Sequence, residues 1–358
     1  YIHSIFHIKN YKKIIMLRFA ILCPGSFDYI SNKTGNMLIR YRPQDVCCVI
    51  DPDRSGQTAQ YVLGYGGEIP VVSNFNEAKD YSPNALVIGS SSQGGRISEA
   101  YRKEITAAIE CGCDIYNGMH QFLNEDPELA TLAKKKSVNI NDIRCPPDPP
   151  HFPKGTWKKR KTKVMLIVGT DCNTGKMTTG WEISERLKKR GKNVQFVGTG
   201  QTGIMLGGYG VPVDAVVADF MAGEIEHAVE AVNNQTDLII VEGQGSLTNL
   251  YYAGVTLGLM HGAMPDYMIM TDEPDRTEDV SNNKMVSIGD VMELHLSLMK
   301  HFKPSQFLGI NLLTYRMDQE IALKEIKKIG AKYQLPTTDL VRFGDNKLLD
   351  HIEQEIFC

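Results

Sequence analysis

The 358-residue sequence has no apolar run approaching the roughly 20 residues that a membrane-spanning helix needs, so no integral membrane protein is expected. It has no excess of basic charge either: a net charge of −3 and a pI near 6.3 leave no electrostatic footprint for nucleic acid. Its eight cysteines, Cys23, Cys47, Cys48, Cys111, Cys113, Cys145, Cys172 and Cys358, include no CxxC pair. Several fall in strand-like runs, which points to buried, reduced thiols in a cytoplasmic protein. No Gly-x-Gly-x-x-Gly follows the first strand-like run, so the N-terminal half lacks the usual dinucleotide signature. Residues 1–15 contain no methionine and no small-x-small cleavage signal, and Met16 opens the run MLRFAILCPG, so the preceding stretch is expected to be an extension outside the native fold.

What the chain does contain is 42% hydrophobic and 23% charged residues, the balance of a globular enzyme, in a length that suits two domains. From residue 16 to 144 short apolar runs alternate with polar helical stretches: RFAILCPG, VCCVIDPD, IPVVSN, ALVIGSSS and CDIYNGM. Each run stops at Gly, Pro, Asp, Asn or Ser, as parallel strands do where they meet loops, and a Rossmann-like sheet is expected. Asp51 and Asp53 end one run where a ribose acceptor would sit, and turn formation accounts for them equally well. The glycine-rich stretch 89–96, GSSSQGGR, reads more readily as a tight strand-to-helix turn than as a ligand loop. Residues 145–162 hold five prolines and the basic cluster Lys158, Lys159, Arg160 and Lys161, which reads as a solvated linker. From 163 to 358 the alternation resumes in a doubly wound α/β pattern, with its site expected at the carboxyl ends of the strands.

The strongest local signal lies there. The strand KVMLIV runs into GTDCNTGKMTT, and a helix follows. Glycines let main-chain N–H groups converge on an anion, the helix offers its positive end and Lys176 adds a point charge. Gly169, Thr170, Asp171, Asn173, Thr174, Gly175, Lys176, Met177 and Thr178 are therefore the expected cofactor-binding loop. A second strand, LIIVEGQGSL, carries Glu242 at its tip, placed like the metal-side acid of a phosphate-loop enzyme, and Asp171 is positioned to share the same cation if magnesium is used. A third, GTGQTG, offers Thr199, Gln201 and Thr202 as neutral hydrogen-bonding groups. Asp219, His227 on a helix and His261 in a loop are further candidates, with His261 favoured over His227 for acid/base work. The run TDEPDRTED, containing Arg276, is either a ligand-reading loop or a solvated acidic turn.

Together, VGTDCNTGKMTT, GTGQTGIMLGGYGVPVDAVVADF and IIVEGQGSL, behind a Rossmann-like half, resemble a two-domain family of formerly unknown function whose members include D-glutamate N-acetyltransferases. The resemblance covers nearly the whole chain after Met16. It implies acetyl-CoA as donor and the amino group of an acidic amino acid, most simply D-glutamate, as acceptor. Glu242, Asp219 or His261 would serve as base, Gln201, Thr202 and Arg276 would hold the substrate carboxylates, and Lys176 or main-chain N–H groups would stabilise the oxyanion. The C-terminal half is more distantly similar to dethiobiotin synthetase and the cobyrinate amidotransferase group, ATP-dependent enzymes in which Lys176 would bind phosphate while Asp171 and Glu242 held magnesium. Met177, where a hydroxyl is usual, departs from that pattern; Thr178 or Thr179 could replace it with a shifted helix start. An ATP-dependent ligase or kinase, or a non-catalytic nucleotide-binding regulator, therefore stands as the alternative, and relatives of this type suggest a homo-oligomer.

Overall fold

The computed structural model describes residues 17–90, 95–344 and 346–358. The expected extension over residues 1–15 and the middle of the 89–96 turn lie outside them. The chain divides into two compact units, one running to Cys145 and including Ile204–Gly208, the other comprising Pro146–Gly203 and Tyr209–Cys358.

The first unit is built on six parallel strands: β1 (Phe19–Leu22), β2 (Val46–Ile50), β3 (Val71–Val72), β4 (Ala85–Ile88), β5 (Asp114–Asn117) and β6 (Ile140–Asp142). Their order, β3-β2-β1-β4-β5-β6, is that of a dinucleotide-binding sheet, as the Rossmann-like pattern implied. Helices α1 (Lys33–Tyr41), α2 (Ala59–Leu63), α3 (Phe75–Ala78), α4 (Glu99–Glu110) and α5 (Pro127–Lys136) connect them. Phe19, Ile21, Leu86 and Ile105 are fully buried at the centre. Asp51, the possible ribose acceptor, is instead buried, and its carboxylate accepts the N–H of Gly25 at 3.0 Å, Phe27 at 2.8 Å and Asp53 at 2.9 Å. It closes the turns after β1 and β2, so turn formation is the role it fills.

The second unit has strands β7 (Lys163–Gly169), β8 (Val194–Val197), β9 (Leu238–Val241), β10 (Tyr267–Asp272), β11 (Gln306–Leu312) and β12 (Thr337–Thr338), all parallel, in the order β12-β11-β10-β7-β9-β8. Its helices are α6 (Lys176–Lys189), α8 (Ala218–Val232), α9 (Ala253–Ala263), α10 (Ile288–Met299), α11 (Gln319–Tyr333) and α12 (Lys347–Phe357), while α7 (Gln201–Gly207) begins in this unit and ends in the segment Ile204–Gly208 counted with the first. Helix α6 covers one face of the sheet and α8 to α11 the other, which buries the apolar strands on both sides. Helix α9 was not expected from its glycine-rich sequence AGVTLGLMHGA. It forms because it packs flush on α8: a Cβ at Gly258 would stand 2.4 Å from Met221 Sδ, and one at Gly262 2.6 Å from the main-chain O of Ala222.

The proline-rich stretch expected as a solvated linker is strapped to α8. Glu224 and Glu226, both buried, face it. Glu224 accepts the main-chain N–H of His151 at 2.6 Å, and Glu226 accepts that of Lys154 at 2.6 Å as well as the N–H and hydroxyl of Thr156. Burial pushes the Glu226 carboxyl up, but the donors from Thr156, Lys154 and Gly155 outweigh it and hold the group below the usual range. Arg160 corrects the expectation of a solvated basic face: its side chain is 3% exposed and donates to Glu230 at 2.8 Å and to the main-chain O of Ala263 at 2.6 Å. Among the described residues no helix is long and apolar enough to cross a membrane.

Candidate functional site

The carboxyl end of β7 opens into the loop at residues 170–175. Asn173 and Gly175, at φ 59° and 89°, turn the chain so that α6 begins at Lys176. Lys176 is buried; its Nζ donates to the main-chain O of Asp171 and lies 3.4 Å from Thr174 Oγ1. The neighbouring strand β10 shapes the loop through Thr271 and Asp272, the first two residues of the run TDEPDRTED, neither of them named individually from the sequence. The hydroxyl of Thr271 meets that of Thr174 at 2.7 Å, and Asp272 accepts the hydroxyl of Thr170 at 2.5 Å. The polar ending of the otherwise apolar run YMIMTD was the available signal.

Asp171 is fully buried and is the hub of the loop. Its Oδ1 accepts Asn249 Nδ2 at 2.7 Å, and its Oδ2 accepts the N–H of Val280 at 2.8 Å and Arg276 Nη2. Arg276 also donates through Nη1 to the main-chain O of Cys172 at 3.0 Å and to Glu273 at 3.3 Å. Arg276, expected to meet a substrate carboxylate, is thus engaged by the phosphate loop itself. Asn249 extends the network: its Oδ1 accepts the N–H of Tyr251 at 2.9 Å and of Tyr252 at 3.2 Å.

Glu242 follows β9 and is buried. Its Oε2 accepts the N–H of Thr199 at 2.8 Å and of Gly200 at 3.3 Å, while its main-chain O accepts the Thr199 hydroxyl at 3.0 Å. The Thr199 hydroxyl also accepts Gln244 Nε2 at 3.3 Å, so Thr199 ties two strand ends together instead of presenting an open hydroxyl. Gln201 and Thr202, expected in a loop, are the first two residues of α7. The glycine at 203 is needed for the approach of this helix, because a Cβ there would stand 2.1 Å from Glu242 Oε2.

The other candidates separate. Asp219 is exposed in the first turn of α8, at the same edge of the sheet as the loop. His261 lies in the last turn of α9, not in a loop, and edge-stacks on Phe302 with ring centroids 5.2 Å apart. Because α9 runs antiparallel to the strands, that turn sits at the opposite edge of the sheet from Lys176, and His261 is removed from the site. His227 stacks on His151 of the strap at 3.8 Å. Met177 is buried, and the hydroxyl of Thr179 accepts Asn311 Nδ2 at 2.8 Å, so α6 starts at Lys176 without the shift that would bring Thr179 to the loop.

Burial raises the carboxyls of Asp272 and Glu273, opposed in Asp272 by the Thr170 hydroxyl and in Glu273 by Arg276. Burial also pushes the Cys172 thiol up, with Lys176 opposing. His295 of α10 is completely buried, its Nδ1 2.7 Å from the main-chain O of Val291. Burial takes it down to about 4, so between pH 6.5 and 4 the unfolded chain binds a proton that the folded one refuses. Stability is accordingly lost as pH falls through that window, by up to about 3 kcal/mol from this residue. Urea titrations of His295→Leu at pH 7 and 4.5 should show a smaller loss on acidification than the parent protein.

A doubly wound parallel sheet with a lysine-bearing phosphate loop after one strand and a buried acid after its neighbour defines a P-loop α/β protein, here with a Rossmann-like companion. The chain belongs to the family described as domain of unknown function DUF1611: its P-loop domain matches residues 151–349 and its Rossmann-like N-terminal domain residues 52–146. A D-glutamate N-acetyltransferase of Tritonibacter scottomollicae is 37% identical over 277 residues, 76% of this chain and 82% of the relative. One from a Pseudoalteromonas species is 33% identical over 279 residues, 77% and 83% of the two chains. The crystal structure of a DUF1611 family protein from Anabaena variabilis, 33% identical, superposes with a TM-score of 0.89 over 94% of this chain and 99% of that one.

Proposed function

We propose that the protein transfers an acetyl group from acetyl-CoA to the amino group of D-glutamate. The observation that carries this reading is the similarity, over most of both chains, to two relatives named D-glutamate N-acetyltransferase. The site has groups suited to each part of the chemistry. Lys176 and the loop N–H groups suit the pyrophosphate of coenzyme A. Glu242, buried after β9 with its Oε2 anchored by Thr199 and Gly200, takes the proton of the substrate ammonium, with exposed Asp219 as a second acid at that edge. The freed amine then attacks the thioester carbonyl. The C–S bond breaks as the amide forms, and the thiolate leaves with a proton. Gln201 and Thr202, at the start of α7, are neutral hydrogen-bonding groups assigned here to the substrate carboxylates.

Incubation with isotope-labelled acetyl-CoA and a panel of D- and L-amino acids, read by mass spectrometry, should give labelled N-acetyl-D-glutamate as the main product. No acetylated amino acid from any of them, with magnesium-dependent ADP release in a parallel ATP assay, would replace this reading with the ligase alternative.

A further inference from the structure

An acid inside a phosphate loop repels the anion the loop is to hold unless a cation balances it. In magnesium-nucleotide sites the metal provides that balance. The residues here do not suit that arrangement. Both oxygens of Asp171 are spent on Asn249, Arg276 and the N–H of Val280. Glu242, the second expected metal ligand, turns Oε2 to two main-chain N–H groups. The residue after Lys176 is a buried methionine, and the Thr179 hydroxyl is engaged by Asn311. Among the described residues no group of three or more His, Cys, Asp or Glu is placed to hold a metal ion.

The cation that does meet Asp171 is a guanidinium. Arg276 binds the Asp171 carboxylate and the main-chain O of Cys172, while Lys176 binds the main-chain O of Asp171, so two fixed positive charges bracket one residue of the loop. The Nε of Arg276 is buried with no hydrogen-bond partner, a donor left over after the loop contacts are made. Arginine suits this place because its charge is permanent and its planar fork contacts several acceptors at once.

We infer that Arg276 is the built-in cation of this loop, standing in for magnesium, and that the loop holds a metal-free pyrophosphate such as that of coenzyme A. The choice of coenzyme A rests on the acetyl-transfer reading; the metal-free cradle does not. The test is isothermal titration of the whole protein with coenzyme A, and separately with inorganic pyrophosphate, each in EDTA and in millimolar magnesium. The parent protein should bind coenzyme A equally well, within about twofold, in both buffers. Arg276→Gln should bind about tenfold more weakly in EDTA and regain part of that loss with magnesium, because Asp171 is then released to take the metal. Arg276→Lys, which keeps the charge, should fall between the two. Binding of either ligand by the parent protein that strengthens about tenfold with magnesium would overturn the inference, as would a folded Arg276→Gln that binds like the parent in EDTA, or no binding of either ligand. The magnesium comparison on the parent protein decides the matter if the glutamine variant does not fold. Metal-free binding of pyrophosphate without any binding of coenzyme A would sink the acetyl-CoA reading and leave this inference standing.

Discussion

Gly243→Ala is expected to disrupt the second unit more than any other single-methyl change near the site. A Cβ at this position would stand 1.6 Å from the main-chain O of Ile167. The atom it meets is not the end of a flexible side chain but the backbone of β7, which is paired with β9 on one side and β10 on the other. Neither strand can yield without breaking the ladder that positions both the phosphate loop and Glu242. A loss of about 4 kcal/mol or more is expected, which for a unit of this size lowers the melting temperature by roughly 10 °C or more. Circular dichroism melts of the variant and the parent protein measure it, and an unchanged melting temperature would contradict the register described above.

Lys176→Ala should produce the largest loss of ligand binding with the smallest loss of fold. The Nζ donates to the main-chain O of Asp171 and lies 3.4 Å from the hydroxyl of Thr174, and alanine is a good residue for the start of α6. A charge-assisted contact to phosphate contributes roughly 1.5 to 3 kcal/mol, so coenzyme A should bind about ten- to a hundredfold more weakly. Turnover should fall on the order of a hundredfold or more if the same ammonium also steadies the oxyanion. Calorimetry and initial rates together separate the two contributions. Binding within about twofold of the parent protein would mean that the anion lies elsewhere.

The strands of both sheets were legible where the chain is buried on both faces, since runs such as VMLIV in β7 and LIIV in β9 leave no polar alternative. β6 and β12 were not, because Ile-Asn-Asp and Thr-Thr carry no such pattern; β6 is held instead by Asp142, which accepts Asn117 Nδ2 at 2.7 Å and the N–H of Leu123 at 3.0 Å. Helix α9 was hidden by its glycines, whose value lies in contact with α8, and the placement of His261 in a loop followed from that omission. The strap on α8 was read as a linker because prolines interrupt every period. Its signal was on the other side of the contact, in two acids of α8, Glu224 and Glu226, that are buried against it.

The phosphate loop was legible because its chemistry is contiguous: strand, glycines, lysine and helix follow one another. The partners of Asp171 were not, since Asn249, Arg276 and Val280 are 78, 105 and 109 residues away. Spacing alone therefore suggested a metal ligand, and only the folded chain shows an acid already satisfied by a guanidinium and two N–H donors.

The most direct measurement is a crystal structure of the protein soaked with acetyl-CoA in the presence of EDTA. The pyrophosphate is expected against the main-chain N–H groups of residues 170–176, within hydrogen-bonding reach of Lys176, with Arg276 still on Asp171 and the thioester directed toward Glu242. Coenzyme A bound away from this loop, or density in the loop that forms only with magnesium and a nucleoside triphosphate, would contradict it.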